Sequence, residues 1–447
     1  MYKVDSEGTI SRRGTLGLGL GAAGALLMPG LRQARAASQP PLGTWPAGVQ
    51  GSSVFVGVTT ALTGPYSADG TDEGLGYQLA FAEINAGGPT ARKWGLQGKG
   101  VLGKQIRYQV ADSETKPNVA VQAQTQFISQ QKAIMITGCI SSATAVALEE
   151  LAQREKVLNM VGGSGSNDTT GKDCQRYSFR SQPSAYMACK ALAPVLAKEL
   201  GHNLKAAYLV PDYTYGHSVY DSMVEFTKPF GWTVVTQQVV PVGTSDFSSA
   251  LLNIANSGAA VFVNVCFGGD AVASTKQADQ FGVLKKMRLT VPNISSFQAK
   301  EVGAKLMQGV YGTFDWWWTL QDRYPLSKAF VEAFMAQHKY HPRWGAHIGY
   351  MQTYVWALAV ERAKSFYPVD VIKTLEDSKS DPFNSTLGKV WYNADNHQMV
   401  RPVPVVVGKA PGKMQNPDDF YEVLEVVPGE PLLKPPGMFG CHLGDYT

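Results

Sequence analysis

The stretch 133–166, AIMITGCISSATAVALEELAQREKVLNMVGGSGS, decides how the chain folds. Ala133–Thr137 is a short, unbroken apolar run, Ser142–Arg154 carries helix formers, and Val157–Val161 is a second short apolar run. Apolar runs of this length without polar alternation suit parallel strands covered on both faces, because a half-wet strand alternates. The stretch therefore predicts strand, helix, strand.

The same alternation extends outward on both sides. Before it, Val54–Thr60 reads as a strand and Asp72–Asn85 as a helix with Leu75, Leu79, Ala82 and Ile84 at helical spacing. Gln105–Val110 is a strand, followed by a helix from Pro117 to about Gln130 with proline at the favoured first turn. After it, the order restarts, with strands at Leu204–Val210, Thr233–Val240, Ala259–Cys266 and Leu289–Val291. Helices at Ser218–Lys228, Phe247–Asn256 and Ala271–Phe281 separate them. Two successive series of this kind predict an α/β protein with two doubly wound parallel sheets. Eight strand–helix repeats also fit a closed barrel. Against a barrel, Pro325–His338, Gly345–Lys364 and Val369–Ser378 follow one another as helices without strands between them. The length of 447 residues also exceeds the roughly 250–300 at which single cores stop growing.

The N-terminus reads as an export signal. Ser11-Arg12-Arg13-Gly14-Thr15-Leu16 is similar to a twin-arginine leader, the segment from Leu16 to Met28 is apolar, and Ala34-Arg35-Ala36 offers a cleavage site. The apolar segment is too short to span a bilayer, which needs about 20 residues. The leader carries five basic and two acidic side chains, so its removal takes the formal charge of +4 down to +1. Such a body lacks the concentrated basic surface that nucleic acid or an anionic membrane requires. The expected location is the periplasm, as a free monomer with the signal cleaved near Ala36. Within the leader, Gly19-Leu20-Gly21-Ala22-Ala23-Gly24 matches a nucleotide-loop pattern, but no strand precedes it.

In open parallel sheets, ligands bind beyond the carboxyl ends of the strands. After Thr137 come Ser141, Ser142 and Thr144 at a helix start, where unpaired N–H groups suit a carboxylate. Capping of the same helix by a serine is the plainer use of such residues. After Val161 comes the Gly162–Asp168 loop with Ser164 and Ser166. It lacks the second glycine of a nucleophile elbow, so a serine hydrolase is a minor alternative. The second series offers Asp212-Tyr213-Thr214-Tyr215-Gly216, then Phe267-Gly268-Gly269-Asp270, then Asn293. Hydroxyl loops facing aromatics would make a pocket polar on one wall and apolar on the other. Of the run Trp316-Trp317-Trp318, one or two residues could reach that pocket. The histidines at 338, 341 and 347 lack carboxylates at ligand spacing, so no metal site or other cofactor is expected.

These motifs, in this order, resemble the type I periplasmic binding proteins of the hydrophobic amino acid uptake family, which includes urea- and amide-binding members. Thr63-Gly64-Pro65, Gly76 to Asn85, Gly138 to Thr144, Ser164 to Asn167, Asp212 to Gly216, Asp246 to Leu251 and Gly345 to Ala359 carry the likeness over nearly the whole mature chain. The resemblance implies a three-strand hinge between two lobes, with lobe 1 at 53–181 plus 315–388 and lobe 2 at 182–314 plus 389–447, after a linker at 37–52. It implies the substrate-binding component of an ABC importer with a permease partner in the inner membrane and no catalysis, a sensing module being the alternative. Carried over by position, Ser142, Thr144, Ser164 and Ser166 hold the polar head of the ligand, while Tyr215, Phe267 and Trp316 enclose the rest. Amino-acid-binding members place a carboxylate where the ammonium lands, and Asn293 occupies that position here. Asp69 and Asp270 are the substitutes. An unpaired buried ammonium costs several kcal/mol, so a carboxylate, an amide or a urea-like solute competes with an amino acid as the ligand.

Five cysteines in an oxidising compartment leave at least one free thiol. Cys189 and Cys266 lie within apolar elements, whereas Cys174 and Cys441 flank exposed-looking loops. The expected bridge is therefore Cys174–Cys441.

Overall fold

The computed structural model describes residues 39–446; the leader-like segment 1–36 and its cleavage site lie outside them. Strands β1 (Ser53–Thr60), β2 (Gln105–Asp112), β3 (Met135–Gly138), β4 (Leu158–Val161) and β5 (Ser178–Arg180) form one sheet in the order β2-β1-β3-β4-β5. Every pairing in it is parallel. All residues of β3 and β4 are buried, as their unbroken apolar pattern requires. The connections are α1 (Ser67–Ala86) with the short α2 (Pro89–Trp94), then α3 (Pro117–Gln131) and α4 (Ser142–Glu155).

Helix α5 (Ala185–Leu200) leads into a second sheet. Its parallel part comprises β6 (Lys205–Pro211), β7 (Thr233–Val240), β8 (Val261–Asn264), β9 (Arg288–Asn293) and β10 (Tyr311–Thr313). Between these strands run α6 (Thr214–Thr227), α7 (Ser248–Ala255), α8 (Gly268–Gln280), α9 (Val283–Lys286), α10 (Ser296–Val302) and α11 (Ala304–Met307). Helices α12 (Pro325–His338), α13 (Trp344–Ala363) and α14 (Pro368–Glu376) follow. Next, β11 (Phe383–Ser385), β12 (Gly388–Tyr392) and β13 (Met399–Val400) pair with one another. Finally β14 (Val403–Gly408) and β15 (Tyr421–Val427) add antiparallel to the edge of the second sheet, in the order β15-β14-β10-β9-β8-β6-β7. Two separate sheets exclude a closed barrel. Of the segment 389–447, only β14 and β15 join the second sheet. The strands before them belong to the small third sheet, and the tail after them turns back to the first half.

Helix α13 packs on α1 in the first lobe. It is buried along all but its last turn, which explains why its apolar residues show no single face. The two backbones approach so closely that a Cβ on Gly76 would stand 2.0 Å from the carbonyl oxygen of Ala346. Glu83 on α1 accepts hydrogen bonds from the Tyr350 and Tyr354 hydroxyls at 2.6 and 2.8 Å, fixing the register of the pair.

The chain passes between the sheets three times, at 181–184, 314–317 and 401–402. Arg401, fully buried on the third crossing, donates to the Ser181 carbonyl at 3.4 Å on the first and to the carboxylate and carbonyl of Asp315 on the second. Asp315 also meets His347 Nδ1 at 2.6 Å. One guanidinium therefore ties all three crossings together. The tail forms a further link. Cys441 is joined to Cys174 by a disulfide, and the Tyr446 carbonyl accepts from the Tyr177 hydroxyl at 2.5 Å. Cys139, Cys189 and Cys266 are free and buried.

Candidate functional site

The carboxyl ends of the two parallel sheets face each other, and each strand end delivers a loop to the space between. Beyond β3, the chain turns through Gly138 and Cys139, both at positive φ, into the first turn of α4. Ser141 precedes α4 yet makes no side-chain capping bond, so the helix start is not closed by its own serine. Beyond β4 runs the glycine- and serine-rich loop. From the opposite lobe, β6 delivers Tyr213 and the first turn of α6, β8 delivers Phe267, and β9 delivers Asn293.

These loops close around a small cavity, with free room of about 10 Å³ between its walls. One wall holds Ile140, Ser142, Gly163 and Gly165 from the first lobe; the other holds Tyr213, Tyr215, Phe267 and Asn293 from the second. Gln182 lines it from the first crossing, and Trp344 from the start of α13. The Tyr66 hydroxyl donates to that of Tyr213 at 3.2 Å, and Gly269 N–H donates to the Pro65 carbonyl at 2.9 Å, so the two lobes touch across the opening. Phe267 stands edge-on to both Tyr66 and Trp344, with ring centroids 5.4 and 5.7 Å apart. Burial raises the Tyr213 and Tyr215 phenols well above their ordinary value, so both are neutral hydroxyls. The Asn293 amide lies beside the Tyr215 hydroxyl.

Ser142, Tyr215, Phe267 and Asn293 therefore share this cavity, drawn from four separate strand ends. The Ser142 hydroxyl accepts from Ser166 N–H at 3.1 Å, which couples the α4 start to the glycine-rich loop. The other sequence candidates lie elsewhere. Ser164 is bonded to Thr169 at 2.8 Å, and Ser166 to Thr214 and Ser218 of α6 at 2.6 and 3.0 Å. Ser166 thus joins the lobes instead of facing the cavity, and neither serine meets a histidine. Thr144 is buried without a partner for its hydroxyl and does not line the cavity. Trp316 packs in the core: its indole N–H donates to Ser327 at 2.7 Å and its ring stacks on His347. Trp317 and Trp318 also lie away from this cavity.

Asp69 sits behind Trp344, whose indole N–H donates to it at 2.8 Å; burial raises its carboxyl to about 7. Asp270 accepts from Gly243 N–H at 2.8 Å and is also outside the cavity lining. Among the described residues, the lining of the cavity contains neither a carboxylate nor a cation. Beneath Gly163, the buried Glu73 carboxyl accepts from Gly163 N–H at 3.2 Å and from Thr60 at 2.6 Å, and burial pushes it well above the usual carboxylate range. Tyr213 could have been read from its position two residues past a strand end. Trp344 and Gln182 carry no local signal, because their part in the wall follows from packing between distant segments.

Residues 53–413 match the family model of the periplasmic binding proteins, and the chain belongs to that family. It is 26% identical over 340 residues to the Leu/Ile/Val-binding protein homolog 8 of Brucella abortus, an alignment covering 73% of this chain and 80% of the relative. It is 25% identical over 362 residues to homolog 7 of Brucella suis, covering 78% and 87%. The fold is that of a periplasmic binding protein from Burkholderia mallei, with a TM-score of 0.79 at 23% identity, covering 88% of this chain and all of that one. It is also that of an ABC-transporter solute-binding protein from R. palustris solved in complex with benzoate, with a TM-score of 0.73 at 19% identity over the same shares. The chain is thus a two-lobed type I binding protein.

Proposed function

We propose that this chain is the substrate-binding component of an ABC importer and that it closes around a small organic solute without transforming it. The observation that carries the substrate class is the neutral lining of the cavity between the lobes. It offers hydroxyls and amides from Ser142, Gln182, Tyr215 and Asn293, aromatic faces from Phe267 and Trp344, and an uncapped helix start. That set suits a carboxylate or amide head on an apolar body, and it offers an ammonium neutral acceptors such as Gln182 Oε1 but no carboxylate. A buried unpaired ammonium would cost several kcal/mol, so an α-amino acid is disfavoured. The lobes, 53–181 with 315–388 and 182–314 with β14 and β15, move about the three crossings. Only a solute that touches both walls favours the closed form, and the permease in the inner membrane receives that form.

A thermal-shift screen of amino acids, carboxylates, amides and urea tests this. A solute at about 100 times its Kd adds about 2.7 kcal/mol of stability. The expected hits are acids or amides lacking an α-ammonium, and their shifts should vanish in Tyr215→Ala. Hits confined to α-amino acids would overturn the substrate class. A hit turned over to product would overturn the binding role.

A further inference from the structure

A second hollow lies between the lobes, lined by none of the residues of the neutral cavity and, like that cavity, nearly closed, with free room of about 10 Å³. Its chemistry is unlike that of the neutral cavity. Trp317 and Trp318 from the second crossing and Phe420 from the loop before β15 supply aromatic walls. Trp318 is fixed by His341, stacked on it at 3.9 Å between ring centroids, and its indole N–H donates to the Asp418 carbonyl at 3.4 Å. Lys300 on α10 and Arg343 before α13 face each other across the hollow from opposite lobes. Neither has a carboxylate within ion-pair distance among the described residues, although Arg343 acts at longer range on Asp69, Asp72 and Asp418 and lies over the Tyr340 ring at 5.4 Å. The carboxylate that lines the hollow, Asp418, is covered by His341, whose backbone N–H and ring reach it at 3.2 and 3.3 Å. Ser296 lines the same space, is 5% exposed, and has no partner for its hydroxyl. A buried hydroxyl without a partner costs about 1–3 kcal/mol, and an anion in this hollow would accept from Ser296 in a space also lined by Lys300 and Arg343.

We propose that this hollow is a second ligand site, for a small aromatic carboxylate. The carboxylate accepts from Ser296 and lies between Lys300 and Arg343, and the ring lies among Trp317, Trp318 and Phe420. Two cations and a hydroxyl give the charge preference, and the indole faces give the preference for a planar apolar body. Because Lys300, Ser296 and Phe420 belong to the second lobe and His341 and Arg343 to the first, an occupant touches both lobes and favours closure. Closure favoured from this site raises affinity in the neutral cavity, and the reverse holds to the same factor.

Isothermal titration of the full mature chain with benzoate, and with benzamide as its neutral counterpart, tests the site. The expected result is that benzoate binds and that Lys300→Met with Ser296→Ala weakens it by about tenfold or more, the loss of a charged hydrogen bond. Tyr215→Ala should leave this component of benzoate binding in place, and benzamide should not show it. Lys300 is exposed, so its replacement does not threaten folding. Benzoate affinity unchanged in the double variant overturns the proposal, as does an absence of benzoate binding. Loss of benzoate binding in Tyr215→Ala alone also overturns it, while leaving the neutral cavity as a carboxylate site. If no solute depends on Tyr215 but benzoate depends on Lys300, the function proposed for the neutral cavity fails and the second site stands.

Discussion

Asn293 lines the neutral cavity and Asp69 lies behind its Trp344 wall, so a change of charge at the two reads out differently. Asn293 lines the neutral cavity beside the Tyr215 hydroxyl. Asn293→Asp introduces a carboxylate of nearly the same shape. A solute bound through a carboxylate should lose at least about tenfold in affinity, equal to 1.4 kcal/mol, by titration calorimetry at pH 7.5. A solute carrying an ammonium should gain. Asp69 gives a pH signature. Burial raises its carboxyl from 3.8 to about 7, so the folded state holds its proton more tightly than the unfolded chain. Its contribution to stability is therefore fully present below about pH 4 and is lost as pH rises through 7. Relative to Asp69→Asn, which keeps an acceptor for Trp344, wild-type unfolding free energy measured in urea should fall between pH 4 and 7 and then level. Parallel curves would mean that the two states hold this proton equally.

Helices α1 and α13 show where packing overrides local preference. Glycine in a helix costs roughly 0.5–1 kcal/mol against alanine. At Gly76 that cost is required, because any Cβ would meet the Ala346 carbonyl at 2.0 Å. Gly74, two residues earlier on the same helix, has nothing nearer than Thr60 at 3.7 Å. Gly74→Ala should therefore stabilise by roughly 0.5–1 kcal/mol. Gly76→Ala should destabilise by about 1–3 kcal/mol through overpacking. Paired melting curves check the contrast, and equal effects would show that the helices separate freely. Helix α1 also begins at Ser67 where periodicity predicts Asp72, and α6 at Thr214 where it predicts Ser218. The extra first turns, Ser67–Thr71 and Thr214–His217, are rich in polar residues and glycine, so they leave no apolar stripe to read.

At the scale of the molecule, stability and motion depend on the links between lobes. Arg401, Asp315 and His347 are fully buried at the crossings, and burial lowers His347, leaving the imidazole neutral. Removing one partner of a buried pair leaves an uncompensated charge, typically a loss of 3–5 kcal/mol. Arg401→Met should lose that much in urea unfolding, whereas Arg401→Met with Asp315→Leu should recover part of it. The tail bridge closes 267 residues of chain. Replacing Cys174 and Cys441 together by alanine should cost about 2–5 kcal/mol, read by the same unfolding curves.

The order of strands and helices was determined by the sequence itself. Short apolar runs such as Met135–Gly138 must be covered on both faces, and in a chain alternating with helices a parallel sheet achieves this. The loops after strands 3, 4, 6, 8 and 9 were likewise legible as one edge of the sheets, and Ser142, Tyr215, Phe267 and Asn293 do line one cavity there. The final edge strands β14 and β15 were not, because they come after three helices and pair antiparallel with a strand formed far earlier. Only the tertiary structure decided which hydroxyls face the cavity. Ser164 and Ser166 spend theirs on Thr169 and α6, an outcome set by how closely the lobes approach. It also decided that Trp344, from the start of α13, stands between the cavity and Asp69. Local sequence fixes which face a residue takes on its own element, but a wall built from seven segments depends on contacts that no single segment encodes.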